Sequence, residues 1–397
     1  MRKVIIAGTG HTSFGNLRKY KLSEILAYAA LDAMENGGND LPPIDQVIVG
    51  NMGAGILNHQ TGVESAVVST LNLEPASAEM VVNGPASGAS AFKVGYMAIA
   101  SGMADVVLVT AGELMRAVTG WQATDFVATL THPDIEYPYG ITLPGYAGMY
   151  LRAYMDKYNI SDEMLSSISV RDHHNGMFNP WAHVQVEVDK EAISSGNDAK
   201  VINPMVAKPL RMYHTCPVSD GAAAAVLVAA DLPDIQKKLK HKPVFVSGIG
   251  SATDTHCVHN RKDLLKLDAV RLSAEKAYKM AGVKASDIDL AELHDAFIFL
   301  ELCLAEEAGL FPRGKAIEAV LSGKTDIKGQ IPINPSGGLK SKGHPVGGTG
   351  MSQIYELVKQ LRGDAEKERQ VENPKTAMAI NFGGFGNNVV TTILQNS

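Results

Sequence analysis

The chain has little cysteine. Three cysteines, Cys216, Cys257 and Cys303, occur in 397 residues. Odd in number and far apart, they argue against a disulfide framework and for a reducing compartment. No apolar run approaches the roughly 20 residues that span a bilayer. The opening MRKVIIAGTG is too short an apolar run for a signal peptide and reads as a strand, and the closing LQNS matches no peroxisomal address. An excess of basic charge is also absent. Lys and Arg number 36 against 42 Asp and Glu, a formal net charge of −6. Nucleic-acid binders are basic overall, so that class is excluded. The expectation is a cytoplasmic protein, off the membrane, long enough for two halves that each have a full core.

What is present repeats. Val4–Gly10 reads VIIAGTG and Val244–Gly250 reads VFVSGIG, each an apolar strand breaking into Gly-x-Gly. LSEILAY (22–28) is echoed by LSAEKAY (272–278), each opening a helix with alanines at helical spacing. Ile-Asp then precedes VIVG in one half and LAEL in the other. Further on, the helix SGASAFKVGYMAIASG precedes the strand ADVVLVTAG, as GTGMSQIYELVKQLRG precedes TAMAINFGG. Four echoes in one order predict an internal duplication of α/β halves with sheets covered on both faces. The halves are predicted at 1–235 and 243–397, joined by the charged segment DLPDIQKKLKHKP. Residues 115–210 have no counterpart in the second half and read as a subdomain inserted over a site.

Four stretches sit at predicted strand ends, where open α/β sheets keep their sites. NGPASGAS (83–90) opens a helix, whose unpaired N–H groups and dipole would acidify a nucleophile. LHDAF (293–297) holds His294 and Asp295, the latter read as bracing its loop. GGLKSKGHPVGGTG (337–350) puts His344 among glycines that let backbone approach a ligand closely. INFGGFGNN (380–388) offers Gly383 and Gly384 as backbone donors to an oxyanion, with Asn381 read as orienting a water or His294. His256, Cys257 and His259 match no common zinc spacing, and no metal is expected. GTGHTSFG lacks the third glycine of a dinucleotide fingerprint and reads as a strand-end turn.

The combination of HDAF, GGxxxxGHPxGxTG and NxGGxG, in that order, resembles the thiolase superfamily, specifically its sterol-carrier-protein-type and archaeal acetoacetyl-CoA members. TCPVSDGAAA (215–224), YPYGITLPGY (137–146) and HNGMFNP (174–180) are similar to family segments too. The resemblance implies a duplicated five-layer α/β/α/β/α sandwich and a CoA thioester as substrate, with no tightly bound cofactor. It implies a cysteine nucleophile, two histidines matching His294 and His344 at the oxyanion hole, and a second acid/base. It further implies a homodimer, with a small zinc-ribbon/OB-fold acyl-CoA-binding protein as a candidate partner. Ser247, Arg261 and Lys262 are carried as candidate CoA contacts, although Arg261 and Lys262 read first as a solvated face.

The family's nucleophile stands in a Cys-Ala-Ser-Gly-like stretch, and this chain reads Pro85-Ala-Ser-Gly. Proline has no nucleophilic atom and no N–H, so attacker and oxyanion donor vanish together. It is comfortable at the first position of a helix, so the corner itself should survive. Ser87 and Ser90 lack an evident base, and Cys216 reads as a small buried hydrophobe. The expectation is C–C bond chemistry beside a CoA thioester without an acyl-enzyme, by an aldol, retro-aldol or atypical Claisen route. The alternatives are a non-catalytic acyl-CoA-binding subunit, or an ordinary acyltransferase in which Pro85 is an altered position.

Overall fold

The computed structural model describes residues 1–194 and 201–396; positions 195–200 of the predicted insertion lie outside them. Nine strands make one mixed sheet: β1 (Val4–His11), β2 (Gln46–Gly50), β3 (Ser77–Val81), β4 (Val106–Glu113), β5 (Gly221–Ala229), β6 (Val244–Thr253), β7 (Leu290–Leu293), β8 (Thr376–Gly383) and β9 (Asn388–Gln395). Their order is β3-β2-β4-β5-β1-β6-β9-β8-β7. In the first half β2 runs parallel to β3 and β4, and β5 runs antiparallel to β4 and β1. In the second, β8 runs parallel to β7, and β9 runs antiparallel to β8 and β6. A lone parallel bridge, Ala291 to Ile333, stands where the first half has β3. β1 and β6 meet antiparallel through Ile5–Phe245 and Ile6–Val244, which joins the two halves at the midline.

Apart from the exposed edge strand β3 and the half-buried β6, the strands are apolar on both faces because helices cover both. Every residue of β1 and β5 is buried. Helix α1 (Leu22–Gly37) covers the outer face of the first half, packing Leu22, Ile25 and Leu26 on Ile5, Val47 and Leu108. Helix α2 (Ser87–Ser101) lies in the middle of the molecule. The insertion supplies α3 (Leu143–Tyr158) and α4 (Asp162–Met177), and the second half α5 (Asp268–Ala281), α6 (Ile298–Glu307) and α7 (Thr349–Arg362). Phe92 and Ile99 of α2, with Met351 and Leu357 of α7, pack between Val107 and Leu227 of one half and Leu290 and Ala379 of the other. The outer face of the second half packs on α5 and α6, and Tyr150, Tyr154 and Ile168 of the insertion join that core. Helices and strands thus alternate in the five layers that the resemblance implied.

Being central, α7 is buried all round, so its polar residues need partners. Glu356 takes Arg369, itself wholly buried, and Gln360 donates to the Arg369 carbonyl at 2.9 Å. No helix among the described residues is long and apolar enough to cross a membrane.

Candidate active site

Two strand-to-helix corners face each other at the molecule's centre. The first leads from β3 into α2. Here Ser87 N–H donates to Gly84 O at 3.0 Å, and Ala86 has φ −87° and ψ 7°. That is a type I turn with proline at its favoured second position. The first helical residue is Ser87, so Pro85 lies two residues ahead of the helix, not at its first position as predicted. A turn is the reason the ring fits: its missing N–H is not needed there. The neighbouring hydroxyls are engaged. Ser87 Oγ donates to Gly84 O at 2.7 Å and accepts from Asn83 N at 2.8 Å, and Ser90 Oγ accepts from Asn83 Nδ2 at 2.8 Å. Neither is bonded to a base.

The second corner leads through the glycine-rich loop into α7. His344 Nδ1 lies 2.7 Å from Thr349 Oγ1, and that hydroxyl donates to Pro345 O at 3.1 Å. With the hydroxyl proton assigned to Pro345 O, the ring donates through Nδ1 and leaves a lone pair on Nε2. His294 follows β7, with Nδ1 at 3.1 Å from Asn381 Nδ2. Asn381 Oδ1 accepts from Ala89 N at 3.4 Å, which turns the amide nitrogen toward the ring. His294 therefore accepts at Nδ1 and carries its proton on Nε2. The ring centroids are 4.9 Å apart and the planes cross at 88°. Burial lowers both: His294 falls well below the ordinary histidine range and His344 falls to about 3. Two neutral imidazoles thus present opposite valences, one a lone pair and one a proton.

The N-terminal turns of α2 and α7 abut at the same point. A Cβ on Gly88 would lie 2.8 Å from Gly347 O, and one on Gly350 would lie 2.3 Å from Ala89 N and 2.4 Å from Asn381 Oδ1. Only glycine permits this approach. Two positive dipole ends therefore converge beside the histidines, each favouring an anion by about 0.3–1 kcal/mol and more when buried. Gly383 closes on the first corner, since a Cβ there would sit 3.1 Å from Ala86 Cβ and 3.2 Å from Asn83 O. Gly384 follows in the left-handed region at φ +59°. Phe382 lies 6.0 Å from His294 and 6.3 Å from Phe385, which stacks on Phe297 at 6.2 Å.

Several residues that sequence reasoning missed hold this arrangement. Glu113, at the end of β4, accepts from Asn51 Nδ2 (2.7 Å), Gly53 N (3.0 Å), Met52 N (3.1 Å) and Gly347 N (3.2 Å). It ties the first half to the His344 loop. The strap Thr215–Val218 is bridged to Phe297 at one end and to His344 at the other. Cys216 lies on it, its N–H donating to Ala296 O at 2.9 Å, and burial pushes its thiol up to about 12. Burial pushes the Cys303 thiol up well above its usual value, inside α6. No group of three His, Cys, Asp or Glu among the described residues could hold a metal.

Three predicted residues are not brought to the histidines. Ser247 lies at the far end of β6: Thr253 pairs with Asn388 beside the glycine loop, whereas Phe245 pairs with Gln395. Ser247 instead lines a cavity of about 460 Å³ with Met1, Arg2 and Tyr96. Arg261 does approach the glycine loop, but Nη1 donates to Phe385 O at 2.7 Å and to Tyr150 OH at 2.8 Å, so it braces the loop from behind. Lys262 is exposed. A cavity of about 920 Å³ is lined by Arg171, His174, Val320 and Lys328, with neither histidine in its wall.

Comparison with known proteins identifies the family. The chain matches the thiolase N-terminal domain over residues 4–231 and the thiolase C-terminal domain-like family over residues 250–396. It is 36% identical to acetyl-CoA acetyltransferase of Methanothermobacter thermautotrophicus, covering all of both chains. It is 32% identical to human sterol carrier protein 2, over all of this chain and 72% of that one. Among solved structures, the Ltp2-ChsH2(DUF35) aldolase superposes with a TM-score of 0.83 at 24% identity, over 99% of this chain and 97% of that one. With both domain matches together spanning nearly its whole length, the chain belongs to the thiolase family.

Proposed function

We propose that this chain makes or cleaves the C–C bond beside a CoA thioester by an aldol or retro-aldol step, without an acyl-enzyme. The observation that carries the reading is a pair of neutral imidazoles of opposite valence, 4.9 Å apart, beside a corner that holds a proline. In the cleavage direction His344 Nε2 takes the proton of a β-hydroxyl group. The C–C bond breaks, its electron pair forming the thioester enolate as the β-carbon becomes a carbonyl. His294 Nε2–H and the two helix ends stabilise the enolate oxygen. The His344 proton then returns to the enolate carbon, so atoms and charge balance. A base of this kind contributes roughly 10²–10⁴-fold, and one oxyanion donor about 3–4 kcal/mol.

Two further points support the reading. A solved structure of the same fold is named an aldolase. Every cysteine lies outside the corner, so the acetyltransferase chemistry named for the relatives lacks an attacker. The substrate is a CoA thioester, with no tightly bound cofactor. A homodimer is part of the proposal, with edge strand β3 and the exposed Val82 after it as the available surface. So is a small zinc-ribbon/OB-fold partner; the aldolase neighbour is likewise named with a second component, ChsH2(DUF35).

The test uses the protein with whatever partner co-purifies, supplied with a panel of β-hydroxyacyl-CoA thioesters. Cleavage to a carbonyl product is expected, and His344→Ala should lose about 10²–10⁴-fold of it. An acyl adduct on the wild-type chain by intact mass would refute the non-covalent route. Full turnover in His344→Ala would point instead to a binding subunit.

A further inference from the structure

Glu292 stands two residues before His294, and Lys342 two residues before His344. Their side chains are 0% and 2% exposed, and Lys342 Nζ lies 3.4 Å from Glu292 Oε2. The same carboxylate accepts from Ser336 N at 3.0 Å and from Ser336 Oγ at 2.7 Å. Around it, Leu293 N donates to Asn334 Oδ1 at 2.7 Å, and Asn334 N donates back to Ala291 O at 2.8 Å. Asp295 accepts from Leu339 N at 2.7 Å and Lys340 N at 3.1 Å. Gln353 of α7 donates to Glu292 O and to Ile380 O, both at 3.2 Å. The segment carrying one histidine is thus riveted to the loop carrying the other.

A buried ion pair is weak ground for stability, because apolar residues of the same volume often serve as well. Fully desolvated charges in the wall of a site ask for another reason. A displacement of about 1 Å costs on the order of 100-fold in rate when reacting groups must meet in a set geometry. We propose that Glu292 and Lys342 are positioning residues, a strut that sets the separation and orientation of the two imidazoles. The proposal rests on the histidine assignment made under the proposed function.

The strut is tested with Glu292→Gln/Lys342→Met, which removes both charges and keeps the volumes. The variant should unfold cooperatively near the wild-type temperature. Its KM for the thioester should stay within about 3-fold while kcat falls about 100-fold. In ¹⁵N-histidine spectra the two rings, each a single tautomer in the wild type, should become mixed. A milder variant, Ser336→Ala, keeps both charges and loses one bond to the carboxylate; it should show the same tautomer mixing and about a 10-fold loss of kcat. Unchanged tautomers in a folded double variant, or in Ser336→Ala should the double variant not fold, overturn the strut. The spectra read ring geometry without turnover, so they separate its failure from that of the histidine assignment, which His344→Ala tests.

Discussion

At the scale of single residues, the proposed route rests on Pro85 and the two histidines. The ring of Pro85 fills a buried type I turn that needs no N–H, so a residue with a thiol fits the same backbone. Pro85→Cys should therefore fold and, given acetyl-CoA, gain one acetyl group detectable by intact mass, where the wild type gains none. Adding His344→Ala to that variant should slow acetyl transfer by about 10²-fold or more, because the thiol loses its base. Both histidines are neutral through burial, so neither should contribute an inflection to the pH–rate profile near 6.5, the usual histidine value. A limb at that pH, lost in His344→Ala, would show that His344 titrates in the working range.

At the scale of elements, the loop entering α7 depends on backbone that only glycine tolerates. Gly338 has φ +58°, and a Cβ there would lie 2.4 Å from Asp295 Oδ2. Gly338→Ala should cost about 1–2 kcal/mol for the left-handed conformation alone, and more for displacing the Asp295 brace. Urea unfolding measures this, and a loss under 1 kcal/mol would mean that the loop relaxes freely. The elements themselves were legible: the predicted strands from Val4, Val244 and Thr376 begin where the structure begins them. Their apolar runs and glycine stops are local signals. His294, His344 and Asn381 were legible through motifs. Glu292, Lys342 and Glu113 were not, because each finds its partner only through the sheet topology. Glu292 meets a lysine 50 residues away, and LKSK on its own reads as solvated charge. The usable signal was Glu292 itself, a charge set inside the apolar strand LAEL. Strand direction, not proximity in sequence, decides which end of β6 reaches the histidines, and Ser247 lies toward the other end.

At the scale of the whole molecule, His11 joins three parts. Its Nε2 lies 2.8 Å from Ser352 Oγ of α7, and its ring packs on Tyr355 at 4.8 Å and on Trp181 of the insertion at 5.9 Å. Burial lowers it to about 3. A histidine depressed on folding contributes stability that is complete above its unfolded value near 6.5 and is lost as pH falls toward the folded one. The difference in unfolding free energy between wild type and His11→Asn should shrink by about 2–3 kcal/mol from pH 7.5 to 4.5, at roughly 1.4 kcal/mol per pH unit. Denaturant titrations at the two pH values check it; a constant difference would mean that His11 binds its proton in the folded protein.

The proposed non-covalent route also implies an order of events. On that route no fragment is held between half-reactions, so both partners are bound at once when they are joined. Initial-rate lines at several fixed concentrations of the second partner should then cross rather than run parallel.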